Sequence, residues 1–156
     1  MLKWLWVSLV VIFSDQLSKW MAEASLEEGI PYEWINHIHM TLAYNYGAAF
    51  SFLGNQGGWQ RWFFSIIALT VCGFILYWMH KLKSNEVWTA IGLALILGGA
   101  IGNLADRILS GKVTDFIDMY YTLEGYHFAT FNIADIAISI GAALLVIISL
   151  FTKETD

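Results

Sequence analysis

Two long uncharged runs restrict the fold of this chain more than any other feature. Trp62 to Met79 is a run of 18 residues without a charge, and Val87 to Ala105 is another of 19. Crossing a bilayer takes about 20 mostly apolar residues in a helix. A lipid-exposed backbone must satisfy its own hydrogen bonds, which leaves helices or closed barrels. Two further stretches follow the same rule with polar interruptions. Trp4 to Phe13 is apolar, and the pattern resumes after Asp15 up to Ala22. Ile136 to Phe151 is apolar and extends back through Asp135 to Phe131. The pattern predicts an all-α membrane protein of four transmembrane helices, with spans near 4–22, 60–80, 87–107 and 131–151, in a single domain over 1–156. Composition agrees. The chain is 58% hydrophobic and 13% charged, where a soluble domain carries about 25% charged residues.

Several function classes fall away at once. Net charge is -5 and no basic cluster is present, so nucleic acid is not an expected partner. The one cysteine, Cys72, lies inside an apolar run and reads as a small packing residue. The first stretch imitates a secretory signal, with Lys3, an apolar core and Ala22-Glu23-Ala24. However, Asp15, Gln16 and Lys19 lie between that core and the cleavage-like site, so an uncleaved anchor helix is expected.

Lysine and arginine counts orient the spans. Lys3, Lys81, Lys83 and Lys153 fall on one side. The loops of the other side, 24–58 and 108–130, hold only Lys112, against Glu27, Glu28, Glu33, Asp115, Asp118 and Glu124. Both termini and the 81–86 turn are therefore expected in the cytoplasm, and the two longer loops outside. Trp4, Trp6, Trp20, Trp59, Trp62, Trp78 and Trp88 lie near span ends, as interfacial anchors do.

The spans are not purely apolar, and their polar residues gather at one depth. Asp15 and Lys19 come late in the first span, Asn103, Asp106 and Arg107 end the third, and Asn132 and Asp135 open the fourth. With alternating helix directions, all fall near the outer face. Ionisable groups within a membrane are costly and mark function by default. Asp115 sits in the loop between the last two sets. Asp115 and Asp135 are the candidate catalytic pair. Two close carboxylates tend to share one proton, so one can take a proton from water while the other polarises a peptide carbonyl. The plainer alternative is that Asp135 caps the fourth helix and Asp115 is a solvated loop residue. Asp118 is expected at the surface or as a cap. Gly98 and Gly102 suit close helix packing. Gly99 shares a face with Asn103 and Arg107 and is expected to leave room for substrate.

Competing readings are weaker. Four spans without an obvious inverted repeat argue against a transporter. His37 and His39 alternate, but no H-E-x-x-H helix is present, and these histidines, with His80 and His127, read as surface residues. Ser51, Ser65 and Ser139 lack a visible base in any known order. No cofactor or metal is expected.

Five blocks add a resemblance. They are Asp15-Gln16-Leu17-Ser18-Lys19, Asn45-Tyr46-Gly47-Ala48-Ala49-Phe50-Ser51, the segment Gly98 to Arg107, Val113-Thr114-Asp115-Phe116, and Phe131-Asn132-Ile133-Ala134-Asp135. In this order, on four spans, the chain resembles the lipoprotein signal peptidases, also called signal peptidase II or prolipoprotein signal peptidase. The resemblance implies a bacterial inner-membrane aspartic endopeptidase, with its site toward the outer (periplasmic) side. Such an enzyme removes the signal peptide on the amino side of a cysteine carrying diacylglycerol. It implies the catalytic pair Asp115 and Asp135, supported by Asp15, Lys19, Asn45, Gly99, Asn103, Arg107 and Asn132. It further implies diacylglyceryl-modified prolipoproteins and membrane lipids as partners, globomycin-type peptide inhibitors, and a monomer. A small β-structured cradle is implied in the outward loop, where His39 to Tyr44 alternates as a short strand would. A mobile outer segment is implied within 108–130. Ile136 stands where the family commonly has a small hydroxylated residue.

Physical roles for the supporting residues stay open at this point. Asp15 and Lys19 are four apart and can pair on one helix face, or Lys19 can snorkel outward. Asn103 and Arg107 offer donors to a substrate carbonyl or lipid ester, or Arg107 neutralises Asp106 or the carboxylate cluster. Asn45 reads as a turn residue, which the resemblance raises to a substrate contact.

Overall fold

The computed structural model describes residues 1–47, 59–120 and 129–152. Ala48 to Ser51, Glu124, His127 and Lys153 lie outside the described residues. Among the described residues the α-helices are α1 (Leu5–Ser25), α2 (Trp59–Lys81), α3 (Val87–Leu109) and α4 (Ile133–Thr152). Each falls within a few residues of a predicted span. Three of them, α2, α3 and Ile133–Phe151 of α4, are long and apolar enough to cross a membrane. The polar residues Asp15 and Lys19 set α1 apart from that group.

α3 is the central helix. The share of its apolar window buried inside the protein is 56%, against 22% for α2 and 17% for α4, and it packs against α1, α2 and α4. Cys72, Ile75 and Met79 of α2 meet Leu93, Ala94 and Leu97 of α3 in the main apolar cluster. Cys72 is the small packing residue its setting predicted. Glycines let two neighbours approach α3 from different sides. A Cβ at Gly98 would stand 2.7 Å from the Val11 Cβ and 2.9 Å from the Ser8 carbonyl oxygen of α1. Ser8 also donates its hydroxyl to the Ala94 carbonyl at 2.7 Å. On the α4 side, a Cβ at Gly99 would collide with the Ala134 carbonyl and lie 2.8 Å from Ile138 Cγ1. This corrects the expectation for Gly99, because the backbone of α4 fills the space that the missing side chain leaves.

A three-stranded antiparallel sheet caps one end of the helices. Its strands β1 (Tyr32–Ile35), β2 (Ile38–Asn45) and β3 (Val113–Met119) lie in the order β1-β2-β3. The strand expected at 39–44 is β2. β3 is a correction to the loop reading of 108–130, since Asp115 stands on a strand. Pairing joins Ala43 to Asp115 and Met40 to Ile117, so Thr41 and Leu42 together oppose Phe116. Such a bulge sharpens local twist and is common beside functional sites. The far edge of β3 takes one further residue. Phe131 accepts the Phe116 and Ile117 amides at 3.1 and 2.9 Å and donates to the Ile117 carbonyl at 3.0 Å. That bridge delivers the start of α4 to the side of Asp115.

Candidate active site

Asn132 joins the two candidate carboxylates. It directly precedes α4 and acts as its cap: its Oδ1 accepts the Asp135 amide at 3.0 Å, and the Asp135 Oδ2 accepts the Asn132 amide at 3.3 Å. This is the reciprocal arrangement of a capping box. Asp135 therefore does cap the helix, as the plainer alternative held, yet it has a second partner. Asn132 turns its side-chain Nδ2 the other way and donates to Asp115 Oδ1 at 2.6 Å, and to the Thr114 carbonyl at 3.3 Å. One fully buried asparagine thus touches both aspartates.

Asn103 of α3 supports the pair from below. Its Nδ2 donates to Asp135 Oδ1 at 2.8 Å. Its Oδ1 accepts from Lys19 Nζ at 2.9 Å and from Asn132 Nδ2 at 3.2 Å. An ammonium can only donate, so Lys19 holds the oxygen of this amide toward itself and leaves the nitrogen to Asp135.

Lys19 is 4% exposed, which rules out snorkelling. It binds Asp15 Oδ2 at 2.8 Å and Asp106 Oδ2 at 2.7 Å. Among the described residues Asp106 pairs with Lys19 rather than with Arg107, and it also accepts from Gln16 Nε2 at 2.8 Å. Arg107 donates to the Asn103 carbonyl at 3.3 Å, and its guanidinium lies over the Phe64 ring at 5.6 Å. Asp15 reaches further still, accepting the Ala134 amide with Oδ1 at 2.9 Å. A carboxylate on the first-turn amides of a helix is favourably placed against the helix dipole. Gly102 makes this possible, since a Cβ there would stand 2.5 Å from Asp15 Oδ2. Cutting such a buried ion pair by removing one partner typically costs about 3–5 kcal/mol, so this layer ties α1 to α3 and to the start of α4, which carries Asp135.

Asp115 is 3% exposed. Burial pushes its carboxyl up from the ordinary 3.8 to about 6, and the negative charge of Asp135 adds to the rise. Hydrogen bonds from Asn132 and Asn45 and the positive charge of Lys19 act in the opposite direction. Asn45 ends β2 and also accepts the Gly47 amide at 2.9 Å, so it is both a turn residue and a partner of Asp115. Two openings flank the pair. A cavity of about 270 Å³ is lined by Ala43, Tyr44, Asn45, Tyr46, Asp115 and Thr130 among others. A larger, mainly apolar one of about 490 Å³ runs along α4 past Phe131, Asp135, Ile136, Ser139 and Ile140.

The structure thus brings Asp15, Lys19, Asn45, Asn103, Asn132, Asp115 and Asp135 into one connected network. Gly99 belongs to it only through packing, and Arg107 through the Asn103 carbonyl. Asp118 is buried rather than at the surface: it is 5% exposed and accepts from Thr41 at 3.2 Å. His37 and His39 both lie against Tyr120, at 5.7 and 4.1 Å between ring centroids. Gln16 was not foreseen as a site residue, although its place beside Asp15 in a span was a signal. Thr114 and Glu23, joined at 2.7 Å, were not foreseen either.

Known proteins resemble this chain along nearly its whole length. The family model described as Signal peptidase (SPase) II matches residues 7–151. A lipoprotein signal peptidase of Hydrogenovibrio crunogenus is 48% identical over 95% of this chain and 85% of its own. One from Coxiella burnetii is 46% identical over 97% of this chain and 92% of its own. Among solved structures, a bacterial membrane enzyme determined by the in meso method at 2.3 Å resolution superposes with a TM-score of 0.84 at 31% identity, covering 99% of this chain and 91% of that one. The match runs through every element that bears the polar network, and the chain belongs to the signal peptidase II family.

Proposed function

We propose that this protein is an aspartic endopeptidase that removes the signal peptide from diacylglyceryl-modified prolipoproteins, cutting on the amino side of the lipidated cysteine. The observation that carries the reading is Asn132, which donates its side chain to Asp115 and its amide to Asp135. It holds two carboxylates in one site without neutralising either. The names of the relatives, lipoprotein signal peptidases, supply the substrate class.

In this reading Asp115 carries the shared proton, as its burial and raised pKa favour. Asp135 is the ionised partner, half-buried and facing the larger opening. Asp135 takes a proton from water as the water oxygen attacks the scissile carbonyl carbon. Asp115 gives its proton to the carbonyl oxygen, so the tetrahedral intermediate forms as a neutral diol. Collapse breaks the carbon–nitrogen bond. Asp135 returns its proton to the departing amine of the cysteine, and Asp115 recovers one from the hydroxyl. Asn103 and Asn132 keep the carboxylates in place, and Asn45 and Arg107 border the peptide. The apolar opening along α4 suits the lipid of the substrate, and globomycin-type peptides would compete for the same space.

We also infer that α1 is a fourth span. It is 21 residues long, roughly 30 Å at the helical rise. Leu9, Val10, Phe13 and Trp20 are exposed, as lipid-facing residues would be, while Asp15 and Lys19 point inward. The termini then face the cytoplasm and the site faces outward in the inner membrane, and a monomer contains the whole network.

Cleavage of a diacylglyceryl-modified prolipoprotein by the purified protein in detergent, beside the unmodified precursor, tests the function. The lipidated precursor is expected to shift to its processed form while the unmodified one stays intact. Equal processing of both, or of neither, contradicts the proposal.

A further inference from the structure

The dyad reading leaves unused the contact on the side of β3 turned away from Asp115. Thr114 is 3% exposed, and each of its polar groups is held by a different element. Its amide donates to Asp106 of α3 at 3.4 Å, and its carbonyl accepts from Asn132 at 3.3 Å. Its hydroxyl donates to Glu23 Oε1 of α1 at 2.7 Å. The first two are long. The third is short and has an ionised acceptor, the stronger class of hydrogen bond. Glu23 is exposed, and it follows Asp15 and Lys19 at four-residue steps, so all three share one face of α1.

Apolar packing does not seal this junction. A cleft of about 250 Å³ remains between α1 and the sheet, lined by Ser18, Met21, Ala22, Ser25, Met40 and Phe116 among others. The strand that carries Asp115 therefore rests on α1 through an incomplete apolar contact and one strong polar bond. We propose that Glu23 and Thr114 form a positioning pair that ties β3 to α1 and sets where Asp115 meets Asn132 and Asp135 during peptide cleavage. The pair acts through Asp115 and rests on the reading of Asp115 as catalytic.

Steady-state cleavage of a lipidated prolipoprotein by the full-length protein in detergent tests it. The variants are Thr114→Val, Thr114→Ser, Glu23→Ala, Glu23→Gln and the double Thr114→Val/Glu23→Ala, with Asp115→Asn alongside. Thermal unfolding measures how much of each is folded. Thr114→Val and Glu23→Ala are each expected to lower kcat about tenfold per folded molecule, since small misplacements of reacting groups are costly, with KM within about twofold. Thr114→Ser keeps the donor and should stay within about twofold of the parent, and Glu23→Gln keeps a weaker, neutral acceptor and should fall between the parent and Glu23→Ala. The double variant should be no slower than either single one, as expected for two ends of one interaction. Should Thr114→Val not fold, Glu23→Ala, at an exposed position, carries the test alone. An unchanged kcat in Glu23→Ala, a change confined to KM, or additive losses would overturn the pair. An active Asp115→Asn variant would instead sink the dyad reading, so the two failures are separable.

Discussion

At the scale of single residues, the site is a problem of placing charge where water is scarce. Asp115 is almost wholly enclosed, and its carboxyl is raised to about 6 by burial first and by Asp135 second. A group that must donate a proton works only while it holds one. Activity should therefore fall as pH rises through the apparent pKa of the pair, which belongs to the two aspartates jointly. The profile of kcat/KM against pH reports the free enzyme. It is expected to show a basic limb with a midpoint within about one unit of 6. A profile flat from pH 5 to 9 would remove Asp115 from the role of acid. Asn132 shows why a neutral amide suits this place. In the dyad reading, a cationic side chain there would hold Asp115 ionised, whereas the side-chain amide donates to Asp115 and leaves a shared proton free to move, while the backbone N–H of Asn132 serves Asp135.

At the scale of elements, small residues decide how closely charge-bearing helices approach. Gly102 admits the Asp15 carboxylate, and a Cβ would intrude to 2.5 Å. Gly73, on α2, has nothing within 4 Å of the same added atom. Gly102→Ala should destabilise the protein by about 1–3 kcal/mol, the usual cost of overpacking. Gly73→Ala should change stability by less than about 1 kcal/mol. Thermal unfolding in detergent compares the two, and equal midpoints would show that the Gly102 approach is not tight in solution.

Elements also differ in how far the sequence announces them. The apolar helices α2 and α3 were legible because Trp62 to Met79 and Val87 to Ala105 carry no charge and obey a membrane rule that needs no tertiary context. β3 was not legible. Val113-Thr114-Asp115-Phe116-Ile117-Asp118-Met119 has buried residues on both faces and two aspartates, which blurs alternation, and its partner β2 lies some 70 residues away in the chain. The buried state of Asp118 and the closeness of α4 to Gly99 are likewise tertiary outcomes. The Asp15–Lys19 pair was legible from its spacing of four. The addition of Asp106 to it was not, because that contact joins two helices.

At the scale of the whole molecule, the protein is a bundle centred on α3 with its polar network gathered beneath a small sheet at one end. The four-span reading assigns that end to the outside. Single cysteines at Ser84 and Lys112, in a Cys72→Ala background, test it in intact cells whose outer membrane has been permeabilised. A membrane-impermeant maleimide is expected to label position 112 and to spare position 84 until the inner membrane is broken. The reverse pattern would invert the protein and the site with it.

The central claim is that Asp115 and Asp135 act as one catalytic unit. The most direct measurement is the single-turnover cleavage rate of a lipidated prolipoprotein by Asp115→Asn, Asp135→Asn and the double variant, each confirmed folded. Groups that act as a unit are strongly non-additive. Each single change is expected to lower the rate by on the order of a thousandfold or more, with the double variant no slower than the slower single one. A single variant that cleaves within tenfold of the parent, or losses that multiply in the double, would contradict the account.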